Sequence, residues 1–260
     1  MPKYQVGFAM SGGFIKGFAH LGAIQALLEH DIKPNILCGV SAGALAATFY
    51  ADGNEPHHCL DFFQGHSFRD FSKIAVSTAG LFSLDVFVDF LKTNLKAKRI
   101  EELALPVYIV ATDLDNGKSA VFKRGSLAER VAASCAMPVM FTPRNINGIN
   151  YVDGGILKNL PVSFIRKECE HVIAINVSPL QTRDYKKNVW NIAMRSYHFI
   201  FQANTISERE LCDLLIEPYN LAGYSNREME RAEEIFIQGY NTTCEILHRL
   251  ETENHTIWKL

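Results

Sequence analysis

Residues 36–45 read ILCGVSAGAL, a run of apolar residues followed by small ones. The apolar half is typical of a buried strand, and the small residues after it are typical of a closely packed helix. Ser41 stands at the junction, with Gly39 and Gly43 two places to either side. Because only small residues fit so tight a strand-to-helix turn, the pattern predicts that Ser41 lies at a sharp corner.

Strand and helix patterns alternate along the chain around this corner. The predicted strands lie at 4–10, 36–40, 106–112, 119–123, 151–153, 171–177 and 211–216, and the predicted helices at 16–30, 42–51, 56–68, 83–98, 126–136, 161–168, 189–209 and 226–250. The polar stretch 142–150 is expected to be a loop. This alternation predicts an α/β fold of three layers (α/β/α) with a mostly parallel central sheet. The length fits one domain over 1–260, with core motifs in 4–177 and a C-terminal helical elaboration from about 185 to 250.

Composition excludes several classes of protein. Apolar residues make up 48% of the 260 residues and the formal net charge is −2, which argues against disorder and gives no basic footprint for nucleic acid. The N-terminus lacks the layout of a signal peptide, and no apolar run reaches the length of a transmembrane helix. We therefore expect a cytoplasmic protein, whose contact with the inner membrane face would be peripheral. No metal-binding motif occurs among the histidines and cysteines, so we expect no metal and no cofactor. The oligomeric state is open.

Two interpretations of Ser41 remain at this point. Its turn places the hydroxyl at a helix N-terminus, where backbone N–H groups and the helix dipole favour developing negative charge, as a nucleophile requires. The same residues would also suit an N-cap serine, with Gly39 and Gly43 present for packing alone.

Residues 11–17, SGGFIKG, join the first strand to the first helix. A dinucleotide fingerprint is excluded, because Phe14 stands where the second glycine is needed and the second strand lacks an acidic residue at its end. Gly12 and Gly13 can instead present adjacent N–H groups as an anion nest. Because the first two strands of a parallel sheet are usually neighbours, this nest would lie beside Ser41 as a candidate oxyanion hole. Lys16 would add a positive field or meet a substrate phosphate, unless it is simply solvated.

The proton of a nucleophilic Ser41 needs an acceptor, and none of the histidines stands on an evident loop for that role. Asp153 closes a short strand and precedes Gly154 and Gly155. An aspartate of ordinary pKa is a poor base for a hydroxyl, but one held within hydrogen-bond reach in a partly dry site can accept its proton. Alternatively Asp153 is a turn residue that caps its own loop.

Three motifs together carry a resemblance that no single one does: SGGFIKG at 11–17, GVSAG at 39–43 and YVDGGILKNLP at 151–161. In this order the chain resembles the patatin-like phospholipase family, in its compact bacterial type, and the likeness extends to 110–114, 133–138 and 232–240. The resemblance implies a patatin-like fold, a Ser–Asp dyad without histidine, and hydrolysis of fatty-acyl esters of phospholipids, lysophospholipids or related lipids. It assigns Ser41 as the nucleophile and Asp153 as the general base. The oxyanion loop becomes Gly12, Gly13 and Phe14, and the motif positions that shape the site become Lys16, Gly17, Gly39, Gly43, Gly154 and Gly155.

One departure from the family pattern is Phe14, which replaces the usual third glycine of the loop. A side chain there could narrow the acyl entrance or bend the loop. The apolar segment 81–95 is either a hydrophobic lip for acyl chains or membrane contact, or an ordinary helix that faces the core.

Three other functions stay open beside the lipid hydrolase. An acyltransferase would share the nucleophile and pass the acyl group to a thiol or an alcohol. A small-ester esterase or amidase would act on soluble substrates. A regulatory or scaffold protein would keep the fold without catalysis.

Overall fold

The computed structural model describes residues 1–75, 79–179, 185, 187–221, 224 and 229–253. The strands are β1 (Tyr4–Met10), β2 (Ile36–Val40), β3 (Lys73–Ile74), β4 (Phe82–Ser83), β5 (Val107–Asp113), β6 (Lys118–Phe122), β7 (Arg144–Ile146), β8 (Ile149–Asp153), β9 (Cys169–Ile175) and β10 (Leu214–Ile216). The α-helices are α1 (Phe18–Glu29), α2 (Ala42–Ala51), α3 (Asp85–Asn94), α4 (Leu127–Ser134), α5 (Gly155–Lys158), α6 (Val189–Ala203), α7 (Ile206–Arg209) and α8 (Ala232–Thr252). Within these residues, no helix is long and apolar enough to cross a membrane.

The central sheet has eight strands in the order β10-β9-β1-β2-β5-β8-β7, with β6 paired to β5. The five strands from β10 to β5 run parallel, whereas every pair that involves β6, β7 or β8 is antiparallel. The α/β class with a mostly parallel central sheet is therefore confirmed. β1 and β2 are neighbours, as the sequence predicts, so their carboxyl ends meet at one edge of the sheet.

Strands β1, β2, β5 and β9 are buried on both faces, because their side chains alternate between two cores. On β1, Phe8 and Met10 pack into the larger core with α1, α2, α3, α4 and α8, whereas Ala9 faces the smaller one. The smaller core is closed by Leu160 and Val162, which lie between α5 and β9. The strands consequently read as continuous apolar runs, as expected of strands covered on both faces.

The register on β5 brings two distant parts of the chain together. β6 pairs with one edge of β5, so β2 and β8 share the other edge, because one edge position pairs with only one strand. On this shared edge Val40 of β2 is opposite Val110, and Asp153 of β8 is opposite Ala111. The carboxyl ends of β2 and β8 therefore point towards each other along this edge, and Ser41 and Asp153 lie next to each other where the two strands end.

The expected loop at 142–150 is wrong, because it holds the hairpin of β7 and β8. The turn residues Asn147 and Gly148 have φ angles of 53° and 85°. Two positive φ angles are what a two-residue hairpin turn requires, and Asn-Gly is its preferred sequence. The polar composition of the stretch concealed this signal.

Three predicted helices also differ from the structure. The helix expected at 161–168 consists of two short 3-10 helices, Val162–Phe164 and Arg166–Glu168. The helix expected at 189–209 is divided into α6 and α7 at Asn204 and Thr205. The helix expected at 56–68 is a 3-10 helix, His57–Phe63. In the segment 81–95, Val88, Leu91 and Leu95 are buried, so the interpretation as a core-facing helix is the correct one for most of its length.

Candidate active site

Ser41 occupies a strained corner between β2 and α2. Its φ is 50° and its ψ is −117°, a left-handed conformation that an L-residue adopts only when the surroundings enforce it. A Cβ on Gly43 would lie 2.3 Å from the carbonyl oxygen of Met10, and a Cβ on Gly39 would lie 2.5 Å from the backbone of Gly43. The Ser41 side chain makes no capping bond to α2, so the N-cap interpretation is wrong.

Ser134 at the end of α4 fixes the backbone of this corner. Its buried hydroxyl accepts a hydrogen bond of 2.7 Å from the Ser41 N–H and donates one of 2.6 Å to the carbonyl of Val110. The corner is thereby tied to β5 and to α4 at once. Sequence reasoning did not single out Ser134, although it lies inside the stretch 133–138 that carries part of the family resemblance.

Asp153 is the last residue of β8 and is 4% exposed. Burial raises the pKa of its carboxyl to about 6, and hydrogen bonds from the Gly155 N–H and the Ser41 side chain oppose that rise. The bond from Gly155 to Oδ1 is 2.8 Å long, so Asp153 caps its own turn as well as contacting Ser41. The Ser41 hydroxyl therefore lies close enough to the Asp153 carboxyl to affect its pKa.

The fully buried His20 is not part of this pair. Its Nε2 lies 2.8 Å from the carbonyl oxygen of Ser11, and desolvation lowers the pKa of the imidazole to about 4. A half-buried thiol that sequence reasoning missed, that of Cys135, lies next to Ser41, whose side chain acts to lower the thiol pKa. Burial, followed by the charge of Asp153, raises the pKa of this thiol, so it stays protonated at neutral pH.

The glycine loop 11–17 lies against the pair, but its N–H groups are not equivalent. The Gly12 N–H donates to the carbonyl of Asn159 at 3.2 Å, so a bond to an oxyanion would have to compete with this one. The N–H groups of Gly13 and Phe14 have no hydrogen-bond partner among the described residues. Phe14 has a φ of 53°, a conformation that glycine adopts without strain and that costs another residue about 1–2 kcal/mol.

Asn159 is a second residue that sequence reasoning missed. A Cβ on Gly12 would lie 2.6 Å from its Oδ1, and a Cβ on Gly155 would lie 2.8 Å from the same atom. Its side chain is fully buried, and neither Oδ1 nor Nδ2 has a hydrogen-bond partner among the described residues. The only signal for it was its place in the motif YVDGGILKNLP.

Two pockets open from Ser41, and Phe14 lines both of them. The apolar cavity has a volume of about 160 Å³. It is lined mainly by aromatic and aliphatic side chains, among them Phe18, Leu45, Ala46, Phe49, Phe63, Phe71, Leu84, Phe87 and Phe141. Leu84 and Phe87 show that the segment 81–95 contributes to this cavity at its beginning, as the interpretation as a lip expects.

The second pocket is the polar one. It is lined by Gly12, Gly13, Phe14, Lys16, Ser41, Met137, Asp153, Ser178, Pro179, Met194, Arg195, Tyr197, His198 and Phe201. Asn204 fixes the end of α6 at this pocket, since its side chain accepts from the Asn159 N–H at 2.7 Å and donates to the Gly155 carbonyl at 2.8 Å.

The remaining motif residues support the same site. A Cβ on Gly17 would lie 2.8 Å from the Cβ of Ala42, and one on Gly154 would lie 2.3 Å from the carbonyl oxygen of Val110. Both positions therefore allow close packing behind the corner and behind Asp153. Within the described part of the chain, no three His, Cys, Asp or Glu side chains come together as a metal site would need.

Comparison with known proteins finds similar sequences and a similar fold. The family model described as patatin-like phospholipase matches residues 8–165. An uncharacterized NTE family protein of Mycobacterium tuberculosis is 31% identical over 219 residues, which cover 80% of this chain and 60% of that protein. Lysophospholipase NTE1 of Cryptococcus neoformans is 25% identical over 228 residues, which cover 81% of this chain and 14% of that protein. VipD from Legionella pneumophila shares the fold, with a TM-score of 0.60 at 17% identity over 95% of this chain and 67% of VipD. The chain thus spans about 60% of the length of the first of these relatives.

Proposed function

This chain belongs to the patatin-like phospholipase family, and on that premise we propose that it is a serine hydrolase of fatty-acyl esters. Ser41 is the nucleophile and Asp153 the general base. The observation that carries the proposal is the position of Ser41, a strained residue at the end of β2, beside the buried carboxylate of Asp153 at the end of β8, whose pKa is about 6. A base of that pKa is ionised at neutral pH and still accepts a proton readily.

The reaction proceeds in two steps. Ser41 Oγ attacks the ester carbonyl carbon while its proton passes to the Asp153 carboxylate. The N–H groups of Gly13 and Phe14 donate to the resulting oxyanion, because the Gly12 N–H is already bonded to Asn159. The alcohol leaves with the proton from Asp153, and an acyl-serine ester remains. A water molecule then attacks the acyl carbon while its proton passes to Asp153, and this proton moves on to Ser41 Oγ as the bond to the serine breaks and the fatty acid leaves.

The apolar cavity supports a long acyl chain as the part of the substrate that is held. Its rings and branched side chains present almost no polar group to a ligand, and apolar burial contributes about 0.8 kcal/mol for each methylene group removed from water. A small soluble ester would leave this cavity unused. This argues for lipid esters rather than for the small-ester alternative.

We also propose that the protein meets lipid aggregates through an exposed apolar surface on α6 and α7. Val189, Ile192, Phe199, Ile200 and Ile206 are 86%, 49%, 48%, 46% and 64% exposed. Their spacing places most of them along one side of the helix, next to the segment that lines the polar pocket. Co-sedimentation with phosphatidylcholine vesicles that persists in Ile192→Asp and Phe199→Asp would contradict this contact.

The C-terminal elaboration is proposed to be part of one catalytic unit. α8 packs closely on α1, because a Cβ on Gly22 would lie 2.0 Å from the carbonyl oxygen of Phe236, and one on Gly239 would lie 2.0 Å from that of Ala19. Such an approach of two backbones is possible only with glycine at the crossing. Urea denaturation should therefore show one transition for the sheet and α8 together, whereas two separate transitions would contradict a single unit.

Labelling with a fluorophosphonate probe, followed by peptide mass spectrometry, tests the proposed function. Selective label on Ser41 that is abolished in Ser41→Ala and slowed at least about a hundredfold in Asp153→Asn is the expected result. Folded wild-type protein that takes no label would refute the dyad and leave the scaffold alternative. Acyl transfer that exceeds hydrolysis when glycerol or a thiol is supplied would identify an acyltransferase at the same serine.

A further inference from the structure

The two pockets would hold different parts of an ester substrate, with the ester bond at Ser41. Ser41 and Phe14 line both the apolar cavity and the polar pocket. If the acyl chain occupies the apolar cavity, then the alcohol part of the ester must extend into the polar pocket, since the two parts leave the carbonyl carbon in different directions. The chemistry of the polar pocket therefore selects the headgroup.

The lining of the polar pocket holds two cationic side chains, Lys16 and Arg195, against one carboxylate. His198 lines it too, and Asp153 is the single carboxylate among the described residues that do so. Ser178 and Tyr197 add two hydroxyl groups. A cluster of cationic and hydroxyl donors beside one buried acid is suited to a phosphate, which offers several acceptor oxygens and negative charge.

Helix α6 supplies the distinctive part of this pocket. Arg195 and His198 are three positions apart, so they lie on neighbouring turns of one helix side. The Arg195 guanidinium stacks over the Phe199 ring at 4.7 Å, and the bonds of Asn204 to Gly155 and Asn159 fix the end of the helix beside Asp153. α6 lies outside residues 8–165, so this feature belongs to a segment that the family match does not include.

We propose that Arg195 and His198 bind the phosphate of the substrate headgroup and so select phosphate-bearing lipid esters over neutral glycerides. This inference rests on the proposed hydrolysis at Ser41. The guanidinium gives a planar pair of N–H donors to two phosphate oxygens, and the imidazole donates a third bond. The phosphate is thereby held on the leaving-group side of Ser41, where it orients the ester carbonyl.

Two substrates that share the acyl chain and the ester bond but differ in the phosphate measure the contribution of the phosphate to hydrolysis. Hydrolysis of oleoyl lysophosphatidic acid and of monooleoylglycerol is compared at equal mole fraction in Triton X-100 micelles, for wild type, Arg195→Gln and His198→Gln. We expect each variant to lose about tenfold to a hundredfold in kcat/KM on the phosphate substrate and less than about twofold on the neutral one. Lys187→Gln is the matched control, because it removes the same charge from an exposed position just before α6.

Three results would overturn the proposal. Equal losses on both substrates would show that Arg195 and His198 support the fold or the base rather than the phosphate. Equal efficiency of the wild-type enzyme on both substrates would show that the pocket is not selective. Tighter binding of free glycerol 3-phosphate than of lysophosphatidic acid would show a site for a soluble phosphate ester instead of a lipid headgroup.

Binding to Ser41→Ala separates this inference from the proposed function. Calorimetric titration of that variant with lysophosphatidic acid and with monooleoylglycerol measures the headgroup preference without turnover. A preference of at least about tenfold that disappears in the Ser41→Ala, Arg195→Gln double variant supports the phosphate site even if no hydrolysis is found. Absence of a preference overturns it even if Ser41 takes the fluorophosphonate label.

Discussion

The buried carboxylate of Asp153 should make the folded protein less stable at neutral and alkaline pH than at acid pH. Its pKa is about 6 in the folded protein, against 3.8 for an exposed aspartate. The folded state therefore binds this proton more tightly than the unfolded state does. The stability that this provides is fully present below pH 3.8 and is lost as the pH rises through about 6. The difference between the two pKa values corresponds to about 3 kcal/mol.

Replacement of Asp153 by Asn removes the charge and keeps the shape. The amide oxygen can still accept the hydrogen bond from the Gly155 N–H, which is 2.8 Å long in the structure. We expect Asp153→Asn to be more stable than wild type by up to about 3 kcal/mol at pH 8, and by about half of that at pH 5, where the wild-type carboxyl is already largely protonated. Activity should fall at least about a hundredfold, because the amide cannot accept the serine proton.

Urea denaturation followed by circular dichroism at pH 8 and pH 5 measures both values. All other ionisable groups are common to the two proteins, so the change in the difference between pH 8 and pH 5 reports on Asp153. Asp89→Asn is the control, because Asp89 is exposed on α3 and its replacement should change stability by less than about 0.5 kcal/mol. Equal or lower stability of Asp153→Asn at pH 8, or a difference that does not vary with pH, would refute the argument from desolvation.

Three further properties depend on the same geometry. On an uncharged ester, kcat/KM should fall about tenfold per pH unit below pH 6, because Asp153 must be ionised; a profile that is flat between pH 5 and 7 would point to another base. Ser134→Ala should cost about 1–3 kcal/mol in urea denaturation and lower kcat more than it raises KM, because it leaves the Ser41 N–H and a buried carbonyl unpaired. Ala46→Phe should lower kcat/KM on long-chain esters about tenfold or more relative to butyryl esters, because the new ring occupies the apolar cavity.

Control substitutions at exposed positions distinguish these effects from a general loss of stability or activity. Ser196→Ala removes an exposed hydroxyl from α6 and should leave both stability and kcat within about twofold of wild type. Ala104→Phe adds a ring at an exposed position and should not change the preference for chain length. If Ser134→Ala behaves like Ser196→Ala, the corner does not depend on that hydroxyl. If Ala46→Phe keeps the preference of wild type, acyl chains do not enter the cavity.

Local patterns were sufficient where one segment determined its own structure. The strand and helix on either side of Ser41 begin and end at the predicted residues, because the glycines and the run of small residues leave few alternatives. The hairpin at Asn147 and Gly148 was missed because its strands are short and polar, although its turn carried a clear signal. The break at Asn204 was not predictable, since that side chain bonds to Gly155 and Asn159 instead of extending the helix.

For the candidate site, the sequence determined the types of group and named both members of the pair. Both residues are marked by local features: the serine stands between glycines after one strand, and the aspartate closes another strand. Neither feature depends on residues far away in the chain. The tertiary structure alone decided that β2 and β8 share one edge of β5, and thus that Ser41 contacts Asp153. It also decided the raised pKa of Asp153, the engaged Gly12 N–H, and the basic side chains that α6 brings to the polar pocket. Strand register, desolvation and pocket charge all depend on residues far apart in the chain, so no single stretch of sequence contains them.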